Sequence, residues 1–203
     1  MESTTDKHFE NELDASFWNR CWQSGQTGWD IGHASPPIVK FLESYPNKEA
    51  AVLIPGCGNA YEAEWMADNG FRDITLLDIA EAAVARLKEK FRDRPQVKII
   101  NGDFFQHNGQ YDLIIEQTFF CAQVLERRVE YVKRMASLLK KEGALVGVLF
   151  GKTFEMPGPP FGGEADEYTA LFKPYFHIKK MEPCYNSIPP RAGAELFIHL
   201  IRR

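Results

Sequence analysis

Between residues 50 and 150, short apolar runs alternate with helical patterns, and this alternation limits the fold more than any other feature of the chain. AAVLI (50–54), DITLLD (73–78), VKII (97–100), YDLIIE (111–116) and ALVGVLF (144–150) read as strands. They are short and apolar on successive residues, as strands covered on both faces are. Helical patterns lie between them: Asn59 to about Asn69, closed by Gly70; then Ala80, Val84, Leu87 and Phe91 at steps of four, three and four. A third helix is marked by Leu125, Val129, Val132, Ala136 and Leu139, with Gly143 as its C-terminal glycine. Such alternation predicts a parallel, doubly wound α/β sheet.

The two ends of the chain break this pattern. Residues 1–12 read as a mobile tail and 13–48 as an N-terminal helical cap, where Trp18 and Trp22 flank Cys21 on one apolar helical stripe. QTGWDIGHASP is a Gly-rich connection in which Ser35 precedes Pro36 as an expected N-cap. Ile38, Phe41, Leu42 and Tyr45 then give a helical face. Beyond residue 150, GKTFEMPGPPFGG (151–163) is a loop and Asp166 to Phe172 a helix. YFHIKKMEPCY (175–185) and AELFIHLIRR (194–203) are strand-like, and NSIPPRAG between them is too short for a crossover helix, so they should pair antiparallel. The expectation is a single domain over 1–203, built on seven strands with an antiparallel last strand.

Composition narrows the function classes. A formal charge of -4 gives no general attraction to nucleic acid or to anionic membrane. No apolar run approaches the roughly 20 residues that span a bilayer. Cys21, Cys57, Cys121 and Cys184 lie far apart with no CxxC pair, so no metal site is expected and the thiols suit a reducing cytoplasm. We expect a monomer.

IPGCGNAY after the first strand raises the question of a ligand. Gly56 and Gly58 let backbone approach it, and the following helix aims N–H groups at the same place. A nucleoside triphosphate would want a Lys and a hydroxyl that this turn lacks. A dinucleotide would want a third glycine where Tyr61 stands. S-adenosylmethionine has no phosphate and needs no third glycine. Asp78, at the end of the second strand, can accept from both ribose hydroxyls; NAD sites use the same device, and strand-end aspartates also cap helices. Asp103 after the third strand can accept from the adenine amino group while Phe104 packs on the ring. Turn glycines and two acids after strands one to three favour S-adenosylmethionine over NAD.

At this point the chain resembles the thiopurine S-methyltransferase-like family, closest to its halide and thiol methyltransferase branch. The matching segments are FWNRCWQSGQTGWDIGHASP, VLIPGCG, LLDIA, GDFF, EQTFFCA, PGPPF and SIPPR-x-G. The resemblance implies a class I (Rossmann-like) methyltransferase using S-adenosyl-L-methionine and releasing S-adenosyl-L-homocysteine. It also implies that Trp18, Trp22 and Trp29 help enclose the cofactor, and that Gly56, Asp78, Asp103 and Phe104 contact it. Gly58 and Gln117 are further cofactor-side candidates, Gln117 standing where plant-like members carry Tyr.

The chemistry asks for similar things. Aromatic faces attract a sulfonium cation, and Trp29, Phe119 and Phe120, with Tyr61 behind them, are candidates. For Trp18 and Trp22, core packing and cofactor enclosure are both open. In-line transfer mainly needs alignment. A thiol is partly thiolate at neutral pH, and a halide or bisulfide has no proton to lose, so a strong base is optional. Asp30, His33 and Arg191 are the acceptor-side candidates, and Cys121 reads as a small wall residue. The expected acceptor is a small thiol, bisulfide or halide. An O- or N-methyltransferase, or a module that binds S-adenosylmethionine without turnover, is the alternative.

Overall fold

A computed structural model describes residues 13–156 and 158–203 of the chain. The expected tail at 1–12 lies outside the described residues. The cap consists of α1 (Ala15–Ser24) and α2 (Pro36–Ser44). There follow β1 (Ala51–Pro55), α3 (Tyr61–Asp68), β2 (Asp73–Asp78), α4 (Glu81–Lys90), β3 (Val97–Asn101), β4 (Tyr111–Gln117), α5 (Arg128–Leu138) and β5 (Leu139–Phe150). The chain closes with α6 (Ala165–Phe172), β6 (Phe176–Pro183) and β7 (Glu195–Arg202). All seven strands form one sheet in the order β3-β2-β1-β4-β5-β7-β6. β1 to β5 pair parallel, and β7 runs antiparallel to both β5 and β6, as the short 186–193 connection requires.

Two apolar cores cover the faces of the sheet. Ile38 and Leu42 of α2, Ala63 and Met66 of α3, and Leu87 of α4 bury one face. Tyr131, Val132 and Met135 of α5, with Phe172 of α6, bury the other. The strand order reverses between β1 and β4, so the chain winds outward in opposite directions from that pair. In open α/β sheets a crevice forms beyond the strand ends at such a point.

Three local expectations change. The glycine-turn helix begins at Tyr61, two residues later than Asn59, because Ala60 takes a left-handed φ of 51°. Ser35 occupies the N-cap position of α2, but its side chain makes no capping bond; its backbone N–H donates instead to Glu62 Oε1 at 2.8 Å. The helix before the fifth strand ends at Leu138, and Leu139 already opens β5. Gly143 therefore lies inside the strand and caps nothing. A Cβ there would come within 2.9 Å of the Lys140 carbonyl and 3.1 Å of the Tyr111 carbonyl, so close backbone approach calls for glycine. The buried face of α5 is Arg128, Tyr131, Val132, Met135, Ala136 and Leu138, so Val132 and Ala136 are inside as expected, while Val129 and the preceding Leu125 are exposed.

Candidate active site

A cavity of about 770 Å³ opens at the carboxyl ends of β1 to β5, over the point where strand order reverses. Its floor begins at the glycine turn. Gly56 and Gly58 have φ of 57° and 53°, the left-handed region in which a side chain is strained. A Cβ on Gly56 would lie 2.2 Å from the Phe119 ring, and one on Gly58 would lie 3.3 Å from Trp22. The turn thus fits flush beneath two aromatic rings that also face the cavity.

Asp78 ties this turn to the next. Its Oδ2 accepts from the Gly58 N–H at 3.0 Å and its Oδ1 from the Ala80 N–H at 2.9 Å. Burial pushes its carboxyl above the ordinary range, and the two N–H bonds pull it back. The Asn101 side-chain amide donates to the Asp78 carbonyl at 3.0 Å, which joins β3 to the same corner. Asp103 follows, its Oδ1 accepting from the Phe105 N–H at 2.9 Å. Asp78, Asp103 and Phe104 all line the cavity.

The cap supplies the roof. Trp29 meets Trp18 and Trp22 edge-on, with ring centroids 5.5 and 5.9 Å apart, and all three line the cavity. Trp22 also packs on Ala80 and Ala83, so it is at once a core residue and a cavity residue. The backbone of α4 holds α1 in place, as the Ala82 N–H donates to Asn19 Oδ1 at 2.8 Å.

The other half of the cavity is built differently. Thr118, Phe119 and Cys121 follow β4, Phe150 ends β5, and Lys152, Phe154 and Pro159 come from the next loop. Arg191 enters from the 186–193 connection. Its Nη2 donates to the Trp29 carbonyl at 2.8 Å and its Nη1 to Glu195 Oε1 at 3.3 Å. The Cys121 thiol is pushed up to about 12, chiefly by burial, so it stays protonated. This suits a wall and not a nucleophile.

Gly56, Gly58, Asp78, Asp103, Phe104, Trp18, Trp22, Trp29 and Arg191 are therefore gathered around one space. Three sequence candidates are not among its lining residues. Asp30 turns away, accepting from the Asn59 side-chain amide at 2.6 Å and the Tyr61 hydroxyl at 3.2 Å, so it latches the strap carrying Trp29 to the glycine turn. His33 is exposed, its Nδ1 2.8 Å from the Ala34 carbonyl. Gln117 ends β4 with its Oε1 buried and without a hydrogen-bond partner among the described residues. Of the other aromatic candidates, Phe120 points into the core against Tyr131, Tyr168 and Phe172, and the Tyr61 hydroxyl belongs to the Asp30 latch.

Two features of the site escaped the sequence reading. One is the cavity-lining pair of Lys152 and Phe154, hidden in a loop without periodicity. The other is Glu116, fully buried behind the cavity wall. Burial raises its carboxyl to about 7, against bonds from Tyr131 and from the Phe120 and Phe119 N–H groups. An acid directly after the apolar run Leu113–Ile115, still inside β4, was the available signal.

Known proteins share this sequence and this fold. The family described as thiopurine S-methyltransferase matches residues 13–195. A probable thiol methyltransferase 2 of Arabidopsis thaliana is 34% identical, covering 91% of this chain and 84% of its own. A thiocyanate methyltransferase 1 of Brassica oleracea is 31% identical, covering 93% and 86%. Among solved structures, a 1,6-didemethyltoxoflavin-N1-methyltransferase of Burkholderia thailandensis with bound S-adenosylhomocysteine superposes with a TM-score of 0.79 at 17% identity, over 100% of this chain and 92% of that one. A magnesium protoporphyrin IX methyltransferase of Synechocystis, also with S-adenosylhomocysteine, gives 0.68 at 19% identity, over 82% and 80%. Those two likenesses show the fold, a seven-stranded class I methyltransferase sheet. With the sequence match covering nearly the whole chain, the protein belongs to the thiopurine S-methyltransferase family of S-adenosylmethionine-dependent methyltransferases.

Proposed function

We propose that this single-domain enzyme methylates a small soft nucleophile, a thiol, bisulfide or halide, and that its acceptor binds between Phe119, Phe150, Phe154, Lys152 and Arg191. The observation that carries this reading is the chemical contrast between the two halves of the cavity. The lining carboxylates Asp14, Asp78 and Asp103 share their half with one cation, Arg127, which stacks on Phe105 and pairs with Glu130, while the titratable side chains of the acceptor half are Cys121, Lys152 and Arg191, with no carboxylate among them. Lys152 Nζ sits 5.0 Å from the Phe154 ring centroid and makes no ion pair among the described residues. A soft, weakly hydrated anion suits such a wall, since cations and aromatic edges replace its water.

The cofactor half fits S-adenosylmethionine on the same terms. The glycine turn leaves room for no Cβ, Asp78 and Asp103 offer carboxylate acceptors for hydroxyl and amino groups, and the Trp18–Trp29–Trp22 roof offers aromatic faces to a cation. When bound, the cofactor supplies a methyl group activated on a sulfonium sulfur. Gly56, Gly58, Asp78, Asp103 and Phe104 would hold it, with the three Trp residues closing over it. Trp29 and Arg191 exclude water at the junction of the halves, because their hydrogen bond ties roof to acceptor wall. No lining side chain is asked to remove a proton from bisulfide, thiocyanate or iodide. For a neutral thiol, the cations Lys152 and Arg191 favour the thiolate.

Incubating the purified protein with S-adenosylmethionine and bisulfide, thiocyanate, iodide or thiophenol should release S-adenosylhomocysteine and the methylated product. Cofactor binding by titration with no turnover of any of these would reject the reading. The four free cysteines also suit a reducing cytoplasm, and the reading includes a monomer, which sedimentation would test. Among the described residues, no helix is long and apolar enough to cross a membrane.

A further inference from the structure

After β4 the chain passes through Thr118 with a φ of 55°. A β-branched residue rarely adopts that left-handed conformation, which persists only where the surroundings hold it. The hold comes from one carboxyl group. The Phe119 and Phe120 N–H groups both donate to Glu116 Oε1, at 2.8 and 2.9 Å, and the Tyr131 hydroxyl donates to Oε2. Glu116 is fully buried, and no cationic side chain among the described residues pairs with it. β5 permits this depth through Gly147, where a Cβ would lie 1.9 Å from the Glu116 carbonyl.

Glu116 is not itself a lining residue, but the turn it holds is wall. Thr118, Phe119, Cys121 and Ala122 all face the cavity. The Phe119 ring lies over Gly56, joining the wall to the glycine turn. The Cys121 carbonyl accepts from the Phe161 N–H at 2.7 Å, so the neck of the 151–163 loop hangs on the same turn. From α5, Arg128 Nη2 reaches the Phe161 and Gly162 carbonyls at 3.2 and 2.8 Å. One buried carboxyl thus stands behind both the acceptor wall and the neck of the loop that carries Lys152 and Phe154.

We propose that Glu116 is a positioning residue for methyl transfer: from behind the wall it holds the Thr118–Ala122 turn where the acceptor must line up with the methyl group. The inference rests on the acceptor reading above. Without an acceptor at this position, the two N–H groups would be buried unpaired, an expensive arrangement that the turn escapes by relaxing Thr118 to an ordinary φ. Phe119 would then swing off Gly56. Glutamine preserves the hold, because its carbonyl oxygen accepts from both N–H groups while its amide donates to the Tyr131 oxygen. Leucine fills a similar volume and accepts nothing.

The test compares wild-type protein with E116L, E116Q and Y131F by cofactor titration, bisulfide kinetics and amide hydrogen exchange. In E116L, cofactor affinity should stay within about threefold while kcat/KM for bisulfide falls on the order of 100-fold, the scale of a misplacement near 1 Å. E116Q should recover turnover to within about fivefold of wild type, since every hydrogen bond is kept. The Phe119 and Phe120 amides should exchange faster in E116L and not in E116Q. Unimpaired turnover in E116L, equal damage in E116Q, or a loss of cofactor affinity matching the loss of turnover would each overturn the proposal. If E116L does not fold, Y131F decides. It should lose about tenfold in kcat/KM at unchanged cofactor affinity, as one bond to a buried carboxylate is removed; unchanged turnover in Y131F refutes the hold. A wild type inert toward every acceptor would overturn the functional reading and the catalytic role with it. Amides 119 and 120 equally slow in wild type and E116L would overturn the hold alone.

Discussion

The two halves of the cavity are made by different means. The half proposed for the cofactor starts from backbone, the glycine turn with the Gly58 and Ala80 N–H groups, and adds Asp78 at the end of β2, Asp103 just past β3 and three Trp rings from the cap. The acceptor half is side chains from distant segments, with Arg191 reaching Trp29 across 162 positions of the chain. A backbone-built site has little freedom to vary, because its geometry is that of the sheet. A site built from loops can change its acceptor without disturbing the fold.

Substitutions can break this comparison, and the largest effects belong to the cofactor half. Gly56→Val would place a β-branched side chain at positive φ and against Phe119, where a Cβ already comes within 2.2 Å. Destabilisation on the order of 2–4 kcal/mol is expected, with cofactor binding lost; a thermal melt and a titration check it. Asp78→Ala would orphan the Gly58 and Ala80 N–H groups together. It would also remove the carboxylate proposed to accept from the ribose hydroxyls; hydrogen bonds to a charged group are worth about 1.5–3 kcal/mol each, so losing one or two of these should lower cofactor affinity by about two orders of magnitude.

Glu116 links the halves through pH. Its folded-state value, about 7, stands above the ordinary 4.5, so the folded protein binds this proton more tightly than the unfolded chain. Its contribution to stability is therefore fully present below about 4.5, is lost as pH rises toward about 7, and is level above that. Glu116→Gln, which never ionises, should match wild type at the acid end and exceed it at pH 8 by on the order of 1–3 kcal/mol. Denaturant melts across that range would read the difference; equal stability at both ends refutes it.

The acceptor half should yield smaller, more selective changes. Lys152→Met should raise KM for thiocyanate up to about fivefold while cofactor affinity holds, since the charge removed is exposed. An equal rise for neutral thiophenol would show that the loop acts by shape alone. The smallest effect belongs to Asp30→Ala, which opens an exposed latch worth under about 1 kcal/mol. Cofactor dissociation about threefold faster, measured by stopped flow, is the expected sign of a looser Trp29 strap.

Legibility in the sequence follows the same division. The five parallel strands, the antiparallel hairpin and the positions of Gly56, Asp78 and Asp103 could be read directly, because each depends on local pattern and strand order. The stripe expected for α5 holds at Val132 and Ala136 and fails at its start, where Val129 and the preceding Leu125 face outward and the cation Arg128 is buried under the 151–163 loop. Asp30 and His33 were acceptor-side candidates by their nearness to Trp29 in the sequence. Adjacency in a loop does not fix direction, however, and the Asn59 and Tyr61 partners that turn Asp30 aside come from another segment.

By itself, the sequence determined the alternating α/β sheet, its antiparallel end and a glycine turn followed by two carboxylates, since strand alternation and glycine at positive φ are constraints on the backbone alone. Only the tertiary structure decided which aromatics face the cavity, which cation enters it and which carboxyl stands behind its wall. Those outcomes depend on side-chain direction and on contacts between segments far apart in the chain, and no local pattern encodes either.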